Sequence, residues 1–309
     1  MDTEWPLIAV RFSLYATLSG LFGLSAFSLY GLKAGERVDA FALGPWLLGC
    51  GVVGLLLSGL AIVLLAAAMA GTPPWPIDRG AIGMLLSGPA TGTAWEARVV
   101  ALVVASIAAL TAAGRAVPLG VVVLASAVAL ATLAWTGHGA MDEGAVGWMH
   151  LSADILHLLA GGAWAGALLG LVLLVARPVG RVDAAHLALT HRALYGFGSV
   201  GTILVGTIVV TGAVNAWLLI GLANLPGLPA TRYGQLLIAK LALFTAMLAL
   251  ASLNRFRLTP AFERSIAATY HHGALGALRR SLAVEVTCAV MILALVAWLG
   301  TLEPPASAM

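Results

Sequence analysis

Trp46-Leu-Leu-Gly-Cys-Gly-Val-Val-Gly-Leu-Leu-Leu-Ser-Gly-Leu-Ala-Ile-Val-Leu-Leu-Ala-Ala-Ala-Met-Ala70 contains no charged side chain. A helix needs about 20 mostly apolar residues to cross the roughly 30 Å of hydrocarbon in a bilayer, so this stretch is long enough to span one. Seven others share its character: roughly 7–31, 95–114, 117–136, 150–176, 193–221, 233–254 and 280–302. Lipid offers no partner for unpaired backbone groups, which selects helices as the spanning form. The expected fold is all-α, a polytopic membrane helix bundle of about eight transmembrane helices, with 1–309 as one membrane domain in lipid.

Composition agrees: 61% of the residues are hydrophobic and 9% charged, against about 25% charged in a soluble domain. The segment from Ile77 to Ala90 is apolar but short and rich in Gly and Pro, which suits an interfacial or re-entrant piece. The N-terminal run from Leu7 to Leu32 follows Asp2 and Glu4 rather than a positive start, and it is too long for a secretory signal. It reads as the first span. Cys50 and Cys288 lie in apolar runs and read as core residues rather than a disulfide or a thiolate zinc site.

The net charge of +3 has a topological explanation. Loops on one side carry Lys33, Arg37, Arg115, Arg177, Arg181, Arg192, Arg255, Arg257, Arg264, Arg279 and Arg280, whereas the other side carries Arg79 and Arg232. By the positive-inside rule the first set is cytoplasmic and both termini are periplasmic. Nucleic acid is therefore not an expected partner.

Gly92-Thr-Ala-Trp-Glu-Ala-Arg98 opens the third span and Gly234-Gln-Leu-Leu-Ile-Ala-Lys240 the seventh, each with a cation six residues after a glycine and a Thr just upstream. Four spans separate them, an even number, which suggests two parallel four-helix repeats, 1–136 and 137–309.

Side chains able to bind metal are densest in Thr136-Gly-His138-Gly-Ala-Met141-Asp-Glu-Gly-Ala-Val-Gly-Trp148-Met149-His150-Leu-Ser-Ala-Asp154-Ile-Leu-His157, on the outer side of the expected topology. At about 100° per residue, His150, Asp154 and His157 share one helix face, which Gly161 and Trp164 continue. Titratable groups inside a span are costly and usually mark a pathway or a partner. The bland alternative is that Asp154 merely satisfies one histidine. His150 and His157 stand roughly 10 Å apart along the axis, too far to close easily on one ion. A split arrangement fits better: His150 with His138, Met149 or Met141 at the surface, His157 about two turns deeper, and Asp154 orienting either ring. Imidazole and thioether favour copper, with Met selecting Cu(I), over Mg or Ca.

Lys240 and Glu285 are candidates to line the bundle interior, and Asn215 a polar contact near the outer side. Arg11, Glu96 and Arg98 also fall within or near spans, where ends allow snorkelling. His186 and His191 flank a cytoplasmic loop and His271 and His272 sit in the long basic loop between spans seven and eight, where solvated residues are the default and a metal exit site is the alternative.

Five of these stretches together resemble one family. They are His150-Leu-Ser-Ala-Asp154-Ile-Leu-His157-Leu-Leu-Ala-Gly-Gly-Ala-Trp164-Ala-Gly166, Thr211-Gly-Ala-Val-Asn215-Ala-Trp217, Tyr233-Gly234 through Lys240, Leu253-Asn254-Arg255-Phe256, and Arg279-Arg280-Ser-Leu-Ala-Val-Glu285. In this order they look like the copper resistance D (CopD) family of bacterial inner-membrane proteins, most strongly over 135–302. The resemblance implies copper handling, usually uptake from the periplasm toward the cytoplasm, beside a periplasmic CopC-like copper-binding protein. Few residues flank the first and last spans, so that partner is expected to be separate. The family's metal contacts carry over to His150 and His157, with Asp154 between them. His138, Met141 and Met149 as ligands come from the loop's composition alone.

A copper permease without enzyme activity is the leading expectation, since no Gly-x-x-x-x-Gly-Lys loop is present. A b-type haem electron carrier using His138 and His157 is the alternative, and a copper sensor or assembly partner that moves no metal is the third reading.

Overall fold

Two helices that the sequence places half a chain apart form the axis of the bundle. In this computed structural model, which describes residues 4–112, 114–137, 144–178, 182–267 and 272–305, α1 (Glu4–Gly31) packs directly on α7 (Gly144–Val175). Around them lie α3 (Leu43–Ala70), α5 (Thr91–Ala109), α6 (Ala116–Ala131), α8 (Ala184–Ile220), α9 (Arg232–Leu253) and α11 (His272–Leu299). Short helices α2 (Glu36–Asp39), α4 (Arg79–Ser87) and α10 (Thr259–Ala267) join them. Among the described residues, eight helices are long and apolar enough to cross a bilayer. No strand occurs among the described residues.

Between helices in lipid, close packing replaces the hydrophobic effect, and small residues permit it. Gly162 and Gly166 on α7 form a Gly-x-x-x-Gly stripe against Gly23 of α1. A Cβ on Gly166 would lie 2.3 Å from the Gly23 Cα, and one on Gly23 would lie 2.2 Å from the Gly162 carbonyl oxygen. Only glycine allows the crossing. Above and below it α1 buries Leu14, Leu18, Leu21 and Leu24, repeating every three or four residues. Serine hydroxyls inside the helices are satisfied locally: Ser28 and Ser58 donate to the carbonyls of Leu24 and Gly54 at 2.7 Å.

Helix ends depart from the expected span limits where capping outlasts hydropathy. The sixth span, expected from 193, begins at Ala184 because Asp183 accepts a hydrogen bond from the His186 amide at 2.8 Å. His186 and His191 are thus helical, and His272 opens α11 rather than lying in a loop. The seventh span, expected to stop at 254, runs through a π-helical turn, Asn254–Leu258, into α10. The Ile77–Ala90 segment contains only the nine-residue α4, too short to span.

At the cation-rich end two arginines close helix C-termini. Arg37 donates to the Ser28 and Leu29 carbonyls of α1 at 2.9 and 3.0 Å, and Arg279 to the Val175 and Arg177 carbonyls after α7 at 2.5 and 2.7 Å. Both oppose the negative end of a helix dipole.

Packing differs between the two halves. α3 packs on α5, whereas α8 and α9 do not pack on each other along their length. The gap between α8 and α9 holds the two cavities described next.

Candidate functional site

The α7 stripe His150–Asp154–His157 faces a cavity of about 1150 Å³, its open mouth included, at the end of the bundle away from the cation-rich loops. α1 contributes Arg11, Tyr15 and Ser19; α8 contributes Gly212 and Asn215; α9 contributes Tyr233 and Lys240. Helical spacing on α7 places the three side chains on one wall. His150 is 1% exposed.

His157 has a fixed tautomer. Its Nδ1 lies 3.0 Å from the Thr211 hydroxyl, and that hydroxyl donates its one proton to the Thr207 carbonyl at 2.6 Å. Thr211 therefore accepts, Nδ1 carries the hydrogen, and Nε2 keeps its lone pair. Gly212 lets the ring lie against α8: a Cβ there would stand 3.3 Å from the His157 Cε1.

Asp154 accepts from the Asn215 Nδ2 at 3.4 Å, while the Asn215 Oδ1 is buried without a partner. The charges facing this carboxylate are His150 on its own helix, Lys240 on α9 and Arg11 on α1. One anion is thus set among potential cations from three helices.

A second cavity, of about 920 Å³ with its open mouth included, lies nearer the cation-rich end, with Trp164, Gly201, Asn254, Arg255 and Glu285 among its lining. Trp164 packs edge-on against Phe244 of α9, with ring centroids 6.2 Å apart, and its buried indole N–H has no acceptor. Glu285, 1% exposed, accepts from the Asn254 amide nitrogen.

The expected site residues are therefore dispersed. His150, Asp154, His157, Asn215 and Lys240 share the outer cavity, whereas Trp164 and Glu285 line the inner one. Met149 is 42% exposed and lines neither, because it sits one residue from His150 and hence about 100° around the helix. His138 and Met141 lie outside the described residues, as does His271. Among the described residues no three His, Cys, Asp or Glu side chains converge as a metal site.

His186 is a buried latch rather than a solvated loop residue: its Nε2 donates to the Leu174 carbonyl at 2.9 Å, and Arg177 donates to its Nδ1 at 3.0 Å. Arg98 does not snorkel either; it is 2% exposed and bonded through Nε to the Thr132 hydroxyl at 2.8 Å. The sequence reading missed Arg11 and Tyr15 as cavity residues and Thr211 as the partner of His157. Thr207, Thr211 and Asn215 recur every four residues on an apolar helix, a polar stripe that would have pointed to the α8 face.

Comparison with known proteins gives the family. Residues 1–148 match the copper resistance protein D-like N-terminal domain and residues 191–299 match copper resistance protein D. Copper resistance protein D of Pseudomonas syringae pv. tomato is 44% identical over 97% of this chain and 98% of its own. Inner membrane protein YebZ of Escherichia coli (strain K12) is 33% identical over 41% of this chain and 42% of its own. Copper transport protein CutJ of Bacillus subtilis (strain 168) is 32% identical over 39% of this chain and 21% of its own. No solved structure matches the chain. With near-complete coverage by one such relative and both parts of the family pattern in order, the chain belongs to the copper resistance protein D family.

Proposed function

We propose that the chain moves copper across the bacterial inner membrane, from the periplasm toward the cytoplasm, with the ion captured in the outer cavity by His150 and His157. The observation that carries this reading is the His157 tautomer: Thr211 fixes the proton on Nδ1, so Nε2 keeps a lone pair for a metal. Imidazole suits copper. Two histidines about 10 Å apart along one helix favour sequential contact over a closed chelate, which suits an ion that must leave. Asp154 adds a negative charge between them.

The relatives' names support the cargo and the membrane, and the cation asymmetry supports the orientation, with the cation-rich end cytoplasmic and both termini periplasmic. A separate periplasmic copper-binding protein of the CopC type would deliver the ion.

We also read residues 1–136 and 137–309 as parallel repeats. Gly92 and Gly234 support this: a Cβ on either would lie 2.0 or 1.9 Å from the carbonyl oxygen six residues earlier, Leu86 or Leu228. Packing of α1 on α6 corresponds to that of α7 on α11. The second half is then the opened copy, with its α8–α9 gap holding the path.

Replacing His150 and His157 by Ala should lower cellular copper accumulation severalfold while membrane abundance, read by immunoblot, stays level. Unchanged accumulation at equal abundance would sink the reading.

A further inference from the structure

The two cavities are stacked end to end, and the register of three helices shows what divides them. On α7, Gly161 lines the outer cavity and Trp164 the inner; on α9, Lys240 lines the outer and Leu248 the inner, with Phe244 midway. On α11, Ile292 lines the outer and Glu285 the inner, with Cys288 between them. Trp164, Met247 and Cys288 belong to one buried apolar cluster, against which Phe244 packs. The lining residues of the two spaces stand about one helical turn apart on α7 and about two turns apart on α9 and α11.

The inner space holds oxygen acceptors. Glu285 is 1% and Asn254 7% exposed, both line the cavity, and the amide nitrogen of Asn254 donates to the carboxylate. That bond leaves the buried Asn254 Oδ1 with no donor. The π-helical turn starts at Asn254, which keeps its own α-helical bond to the Leu250 carbonyl while the register shifts after it, and such turns recur at functional sites. The nearest fixed cation in the lining, Arg255, has its guanidinium engaged by the Gly198 carbonyl at 2.8 Å and the Thr202 hydroxyl at 2.5 Å on α8.

We propose that Glu285 and Asn254 form a second copper station, an oxygen-donor site on the cation-rich side of the Trp164–Phe244 layer. This rests on the transport reading above. The stations differ in chemistry. Imidazole holds copper more tightly than carboxylate and amide oxygen do, so the outer site captures and the inner site binds loosely enough to hand the ion on. The electrochemical gradient sets the direction of net movement, and the two stations set how readily the ion passes.

The test uses the full chain reconstituted in vesicles with a copper-responsive dye inside and copper ions alone outside. Wild-type uptake above that of empty vesicles is expected, and uptake equal to empty vesicles overturns the transport reading itself. With the wild type active, Glu285→Gln should slow uptake at least tenfold while copper affinity of the outer cavity, measured in detergent, stays within twofold. Glu285→Asp should recover uptake to within threefold of wild type. Asn254→Leu reads the same site from α9, should show the same split, and decides the matter if Glu285→Gln does not fold. Wild-type uptake by Glu285→Gln, or by Asn254→Leu in its place, overturns the second station, as does loss of uptake and outer-site binding together.

Discussion

A neutral imidazole can hold a metal through only one nitrogen, so whatever binds the other decides its use. At His157 that choice is made by Thr211, whose own proton is committed to the Thr207 carbonyl. Thr211→Val removes the hydroxyl acceptor beside Nδ1 and leaves the ring with the Ile208 carbonyl as its backbone partner. Copper affinity should then fall about 10- to 100-fold, the usual cost of losing a group that orients a metal-binding histidine. Thr211→Ser should keep it. A competition titration of the purified protein against a copper chelator reads both, and wild-type affinity in Thr211→Val would show that the ring is oriented by something else. The sequence displayed His150, Asp154 and His157 because they share a face of one helix. Arg11 joins that cavity, and Thr211 reaches His157, through the packing of other helices, and spacing along α7 carries no trace of them.

At the scale of elements, hydropathy made eight spans legible because a bilayer imposes one length on all of them. It read their ends less well. Asp183 extends α8 by a capping bond, and α9 continues through its π turn into a segment bearing Arg255, Arg257 and Arg264. Charge looks like loop to a hydropathy window, yet beyond the hydrocarbon a helix can be as polar as any in water. The α1–α7 crossing was similarly hidden, since glycines at 162 and 166 declare close contact without naming the partner. Gly166→Ala places a methyl 2.3 Å from the Gly23 Cα. It should cost about 1–3 kcal/mol, as overpacking does, and lower the melting temperature in detergent. Gly20→Ala, where nothing lies within 4 Å, should leave it level or raise it; equal melting of the two variants would refute the contact.

Across the whole molecule, the halves are joined at the cation-rich end by an ion pair in which one nitrogen of Arg192 on α8, Nη2, donates to both carboxylate oxygens of Glu36 on α2, at 2.5 and 2.6 Å. Partial burial by itself pushes the Glu36 carboxyl up, but the Lys33 amide and the Arg192 guanidinium outweigh it and hold the carboxyl below its ordinary value. A carboxyl lowered in the folded state adds stability above its unfolded pKa, near the ordinary 4.3, and loses it as pH falls through the folded one. The pair is partly exposed, with Arg192 at 41%, so its contribution is at most about 1 kcal/mol. Glu36→Gln should therefore melt about 1–2 °C below wild type at pH 7. Below the ordinary carboxylate range the two should converge, and a gap that ignores pH would rule out the pair as its source. The gap between α8 and α9 has a different kind of consequence. Among the described residues α8 and α9 do not pack on each other along their length, so in a bilayer acyl chains would have access to that side of both cavities. If copper passes through these cavities as proposed, lipid would form part of the wall of its path, and a micelle or a bilayer of another thickness would give the same polypeptide a different wall.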